Sequence, residues 1–99
     1  MIDLSIVVLN WNVRDLLDRC LASLRSACYA VEIVVVDNAS RDDSVAMVRA
    51  MYPKVMVIAN QENRGFTGGN NQGIEASHGR YVMVLNPDTE VLGEALDRD

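Results

Sequence analysis

Leu4-Ser5-Ile6-Val7-Val8-Leu9 is a nearly continuous apolar, β-branched run that stops at Asn10-Trp11-Asn12. The pattern recurs at Val31 to Val36, which stops at Asp37-Asn38-Ala39-Ser40, and at Tyr81 to Leu85, which stops at Asn86-Pro87-Asp88-Thr89. Such runs are expected of strands buried on both faces, as in a parallel sheet. Ligands of open parallel sheets bind outside the carboxyl ends of the strands, so the three polar clusters predict one crevice.

The segments between the runs read as helices. Asn12 and Asp15 resemble a capping arrangement, followed by Leu17, Cys20, Leu21, Leu24 and Cys28 at helical spacing. Ser40 and Asp43 repeat that signal before Met47, Val48, Met51 and Tyr52, and Pro53 ends the second helix. Val55 to Ile58 is a short third strand, and the polar, Gly-rich stretch Asn60 to Gly73 leads into a helix through Ile74 and Ala76, with Gly79 suited to its C-terminal cap. Arg80 to Leu85 is the fourth strand. The alternation βαβαβαβ, with right-handed crossovers, predicts a doubly wound α/β fold with a mainly parallel sheet and strand order 3-2-1-4. Asn10 to Asn12 and Asn86 to Asp88 then flank one crevice, with Asp37 on its other wall. Glu90 to Asp99 reads as the start of a further helix with Leu92 and Leu96 on one side.

Ninety-nine residues form one domain, 1–99, with room for one core and one ligand site. A net charge of −5 and a pI near 4.7, with scattered basic residues, argue against nucleic acid as a partner. An anionic ligand must therefore be held by backbone N–H groups, helix N-termini or a cation. Cys20 and Cys28 lie roughly 12 Å apart along a helix axis, too far for a disulfide, and read as buried thiols suited to a reducing cytosol. No run approaches the ~18 apolar residues of a membrane span, so a soluble, cytoplasmic chain is expected. Met47, Met51, Met56 and Met83 read as core filler.

Asp37 sits where the second strand gives way to the second helix. Its carboxylate can accept the imide N–H of uracil or thymine, with Asn38 serving a ribose or base carbonyl; the position equally suits a helix cap. Asp88 follows Asn86-Pro87, whose turn points Asn86 and Asp88 to the same side. One carboxylate plus phosphate oxygens suffices for Mg²⁺ or Mn²⁺, which can neutralise a diphosphate leaving group; a simple strand-closing turn is the alternative. The segment Asn63 to Gly73 has glycines at 65, 68, 69 and 73. It therefore matches neither GxGxxG nor a P-loop, and reads either as a loop and helix start lining a sugar-phosphate site or as a flexible loop. Trp11 can stack on a nucleobase or pack on the sheet edge. His78 reads as a C-terminal capping charge rather than a catalyst.

Taken in order, Ser5 to Asn12, Val35 to Ser40, Asn63 to Phe66 with Gly69 to Ile74, and Val84 to Thr89 resemble the family two glycosyltransferases, nearest the rhamnosyltransferase and galactofuranosyltransferase-like branch. The resemblance implies a GT-A fold, of the nucleotide-diphospho-sugar transferase type, and inverting transfer from a nucleoside-diphosphate sugar with a divalent cation, Mg²⁺ or Mn²⁺. Asn10 and Asn12 match the segment near the nucleoside, and Asp37 matches the carboxylate that contacts the base, beside Asn38. Gly65, Asn71 and Gly73 fall in the donor-side segment, and Asp88 matches the last acid of the DxD motif. Asn86 stands where many members carry the first Asp, which leaves one carboxylate for the metal. The donor is expected to be UDP- or dTDP-linked, and the acceptor of the full enzyme a saccharide or a lipid-linked saccharide.

Relative to that family the chain is incomplete. The catalytic base needed to take the acceptor proton is expected beyond Asp99, so no catalytic residue is assigned within the chain. A noncatalytic nucleotide-binding or assembly module is the alternative. Self-association through an uncovered sheet edge, and peripheral attachment at the inner face of a membrane in a longer protein, are further expectations. A receiver-like or flavodoxin-like domain is disfavoured, since Asn10-Trp11-Asn12 has no acid and Lys54 is the only lysine.

Overall fold

A computed structural model of the chain describes residues 2–25 and 31–87. The expected alternation is present: β1 (Leu4–Asn10), α1 (Arg14–Leu24), β2 (Val31–Asp37), α2 (Ser44–Met51), β3 (Met56–Ala59), α3 (Gly65–Ala76) and β4 (Tyr81–Leu85). The strands form one parallel sheet in the order β3-β2-β1-β4, as the sequence predicts. Asp88, Thr89, Cys28 and the Glu90 to Asp99 segment lie outside the described residues.

Side-chain alternation divides the sheet into two faces. Ile6, Val8 and Val35 pack with Leu17, Cys20, Leu21, Leu24, Met47, Val48 and Tyr52, which places α1 and α2 on one face. Val7, Leu9, Val34, Val36 and Ile58 form the second layer beneath α3. That helix comes very close: a Cβ on Gly69 would overlap the Leu9 side chain, and one on Gly73 the Val7 side chain. The Tyr52 hydroxyl donates to Asp18 Oδ1 (2.5 Å) and so ties the end of α2 to α1. Burial and the Asp18 carboxylate push this phenol up to about 12.

Several local expectations are corrected. Neither predicted cap forms: α1 follows Val13 and α2 follows Asp43, in both cases without a side-chain cap bond. Asn12 and Ser40 instead bond across to each other's loops. The Gly-rich stretch is not a lead-in, because α3 already begins at Gly65. Gly79 is no helix cap either; α3 ends at Ala76 with Ser77 as its cap residue, and Gly79 is small because a Cβ there would lie 2.5 Å from the Ser5 backbone nitrogen. Met47 is core, but Met51 and Met56 are exposed.

At the amino end of the sheet, Glu32 accepts from the Ser5 hydroxyl (2.9 Å) and the His78 backbone N–H (2.7 Å), and its other oxygen lies 2.9 Å from His78 Nδ1. His78 thus joins the chain after α3 to β2. Burial alone would raise the Glu32 carboxyl, but the hydrogen bonds from His78 and Ser5 outweigh it and hold the group below its ordinary 4.5. A carboxyl depressed in the folded state adds stability above its unfolded value and loses it as pH falls through the folded one. Thermal melting between pH 7 and 3 should therefore show a drop below about pH 4.5 that Glu32→Gln reduces. An unchanged slope would count against this clasp.

Candidate functional site at the carboxyl ends of the strands

The pairing register sets Asn10, Asp37 and Ala59 side by side on one rung at the carboxyl ends of β1, β2 and β3. The backbone ladder runs one step further, with Asn38 N–H donating to Asn10 O and Asn60 N–H to Asp37 O, both at 2.9 Å. Adjacent residues of a strand face opposite ways, so Asp37 and Asn38 serve opposite faces of the sheet. Each is the hub of its own network.

On the α1/α2 face, Asp37 Oδ1 accepts from Asn10 Nδ2 (2.8 Å) and Ser40 Oγ (2.7 Å), while Oδ2 accepts from the Ser40 N–H (2.9 Å). Ser40 Oγ in turn accepts from the Asn12 N–H (2.8 Å), and Asn12 Oδ1 from the Arg41 N–H (2.7 Å). The two loops are thereby stitched together, and both turn through left-handed backbone, Asn12 at φ 53° and Ala39 at φ 62°. Asparagine tolerates that region; an alanine there costs about 1 kcal/mol and is held by the bonds around it. Asp37 is 2% exposed and Asn10 fully buried, with Asn10 Oδ1 lacking a partner among the described residues.

On the α3 face, Asn38 donates to Gly65 O (3.1 Å) and accepts from Asn60 Nδ2 (3.0 Å) and the Arg64 N–H (3.3 Å). Asn60 and Gln72 exchange reciprocal amide bonds of 2.7 and 2.9 Å. Gly65, at φ 75°, makes the turn into α3, and its N–H is taken by Asn63 Oδ1 (2.7 Å). The start of α3 is thus fixed against the ends of β2 and β3.

Between these networks opens a cavity of about 710 Å³, walled by Trp11, Asn12, Asn38, Ser40, Asn60 and Asn63 among others. Trp11 lines this cavity and is 57% exposed, so its ring is not packed away against the sheet edge. The combination offers an aromatic face with amides and backbone polar groups, which suits a planar, hydrogen-bonding ligand. Of the sequence-predicted residues, Asn12 and Asn38 line this cavity, whereas Asn10 and Asp37 are buried behind it with the Asp37 carboxylate spent on Asn10 and Ser40, and Gly65 meets the rim only through its carbonyl on Asn38. Asn86 is exposed just past β4, and Asp88 lies outside the described residues. Asn71 is exposed on α3, whereas Gly73 is buried against Val7 and Val36, where its visible part is helix–sheet contact.

Ser40, Asn60 and Gln72 were not among the candidates. Asn60 and Gln72 sit twelve residues apart, and no local pattern in the sequence announces their pairing. Among the described residues no group of three His, Cys, Asp or Glu side chains is arranged to hold a metal, and no helix is long and apolar enough to cross a membrane.

Comparison with known proteins gives the same picture of the fold. The succinoglycan biosynthesis protein ExoO of Rhizobium meliloti is 40% identical over 98 residues, covering 97% of this chain and 28% of ExoO. The GalNAc(5)-diNAcBac-PP-undecaprenol beta-1,3-glucosyltransferase of Campylobacter jejuni is 30% identical over 98 residues, covering 94% of this chain and 32% of that protein. The chain thus spans less than a third of the length of these curated relatives. S. aureus TarS 1-349 in complex with UDP-GlcNAc superposes with a TM-score of 0.89 at 23% identity, over 98% of this chain and 30% of TarS. The mannosyltransferase PcManGT from Pyrobaculum calidifontis, in complex with GDP-Man and Mn²⁺, gives 0.78 at 25% identity, over 86% of this chain and 27% of that one. The family model described as glycosyl transferase family 2 matches residues 5–98. The four-stranded 3-2-1-4 sheet with its strand-end rim is the amino-terminal portion of a GT-A fold, and the chain belongs to glycosyl transferase family 2.

Proposed function

We propose that this chain is the donor-binding portion of an inverting glycosyltransferase and that the rim holds the nucleotide of a UDP- or dTDP-linked sugar. The observation that carries this reading is the polar cavity, lined in part by the exposed Trp11, at the carboxyl ends of parallel strands. The base stacks on Trp11, and the wall of Asn12, Asn38 and Ser40 meets its polar edge, held in place by the buried Asp37 behind it. With the base on the β2/β3 side, the diphosphate and sugar run across β1 toward β4.

A divalent cation belongs at that far end. A Mg²⁺ or Mn²⁺ that takes one carboxylate and completes its shell with phosphate oxygens and water needs no cluster of acids. The exposed Asn86 at the end of β4 is a compatible neutral oxygen donor, and Asp88 is the proposed carboxylate. When bound, the cation offsets charge on the departing diphosphate. The catalytic base and the saccharide or lipid-linked acceptor are assigned to sequence outside these 99 residues. Support comes from PcManGT, solved with GDP-Man and Mn²⁺, and from TarS, solved with UDP-GlcNAc.

Calorimetric titration of the folded chain with UDP, dTDP and GDP, with and without Mn²⁺, tests the reading. UDP or dTDP should bind, and Mn²⁺ should tighten binding about tenfold, a gain that Asp88→Ala abolishes. No nucleotide binding would refute donor recognition. Sugar transfer or donor hydrolysis by the chain would separate an enzyme from a noncatalytic nucleotide-binding module.

A further inference from the structure

Among the described residues the sheet ends in two edge strands, β3 and β4. Past β4 the chain runs into residues outside the described part, whereas both flanks of β3 are described. One bond shows which groups of β3 face outward. The Asn60 N–H donates to Asp37 O on β2. In a strand the N–H and C=O of one residue point the same way and those of its neighbours the opposite way, so Met56 and Ile58 also serve β2. Val57 and Ala59 therefore turn their polar backbone groups away from the sheet. Such an edge is a template for another strand, and charge, proline or a bulge ordinarily blunts it. Met56-Val57-Ile58-Ala59 has neither charge nor proline, and Met56 is 38% exposed.

We propose that β3 is a self-association edge, through which two copies of this chain pair antiparallel about a two-fold axis; this goes beyond the donor-site reading and does not depend on it. Residues that exchange both backbone bonds lie directly opposite each other, so Val57 faces the partner's Ala59, and Ile58 meets the partner's Ile58 on the axis. Counted outward in that register, Lys54 comes opposite the partner's Glu62, and the two-fold repeats the pair at the other end. Both side chains are exposed, and Lys54 is the only lysine of the chain. The registers two residues away lose this match, since one sets Lys54 opposite the partner's Asn60 and the other opposite the partner's Arg64. A two-fold interface must be self-complementary, and an uncharged strand with a cation before it and an anion after it is. Glu62 also lines the strand-end cavity, so the pairing brings a lysine of the second copy to the edge of that cavity.

Sedimentation equilibrium of the full 99-residue chain tests the pairing. A monomer–dimer equilibrium is expected with a dissociation constant on the order of 100 µM, because a four-residue edge buries less than a standard interface. Lys54→Glu and Glu62→Lys should each weaken the dimer about tenfold, since each turns two symmetry-related attractive pairs into repulsive ones. Combining them should restore the original constant to within about threefold. Val57→Pro removes only an outward N–H and should abolish the dimer while leaving the far-UV circular dichroism in place; should it fail to fold, the charge exchange decides. A chain that stays monomeric to about 1 mM, a dimer indifferent to both reversals, or a double exchange that does not restore it would each overturn the proposal. So would a dimer that Val57→Pro leaves intact and Val84→Lys dissolves, which would place the contact at β4.

Discussion

Asp37→Ala should destabilise the fold by about 3 kcal/mol and lower nucleotide affinity at least tenfold with or without Mn²⁺. The carboxylate accepts three hydrogen bonds, from the Asn10 amide, the Ser40 hydroxyl and the Ser40 N–H. Alanine leaves the fully buried Asn10 side chain short of its shortest bond while its Oδ1 already lacks a partner among the described residues. A buried donor stripped of its acceptor bears its own desolvation cost. The second effect is geometric. Without Asp37, Ser40 no longer holds Asn12 and Ala39 in left-handed backbone, so the cavity wall beside Trp11 loosens. Asp37→Asn keeps the volume but turns an NH₂ toward groups that themselves donate, and should recover only part of the loss. Urea unfolding beside a nucleotide titration checks both halves; a variant with the original midpoint would show that Asp37 is not the keystone of this rim.

Gly73→Val should cost a similar amount, about 3 kcal/mol, for a different reason. Any Cβ at this position overlaps Val7 and comes within 3.2 Å of Val36, so α3 must lift from the sheet. Lifting α3 pulls Gln72 from Asn60 and Gly65 from Asn38, which disturbs the α3 network. Gly65→Ala is the informative contrast, since nothing lies within 4 Å of its Cβ position. Only its φ of 75° is penalised there, at about 1 kcal/mol. Equal unfolding midpoints for the two variants would mean that close packing of α3 is not what Gly73 provides.

The sheet was legible because its signal is redundant. Three β-branched runs and their spacing each point to parallel strands, and the crossover rule then leaves few orders besides 3-2-1-4. The helix starts were not, because Ser40 and Asn12 carry the residue types of helix caps yet spend their side chains on Asp37, Arg41 and each other's loops. Local capping lost to tertiary bonding. The start of α3 was hidden by its glycines, poor helix formers on their own. Two of these, Gly69 and Gly73, are there because β1 and β2 leave no room for a side chain. Within the site, Asp37 and Asn38 stood out at a strand end, but Asn60 and Gln72 are ordinary polar residues until the fold sets them in place. Met51 and Met56 read as core only because apolar periodicity does not say where a helix or an edge strand runs out of partner.

The most direct measurement uses Trp11, the only tryptophan in the chain. Its emission, followed while UDP or dTDP is added to the folded protein in the presence of Mn²⁺, should be quenched and should saturate, with Asp37→Ala shifting the curve to higher concentration. Emission that stays constant to millimolar nucleotide, in a chain shown by circular dichroism to be folded, would contradict a nucleotide seated at the carboxyl ends of these strands.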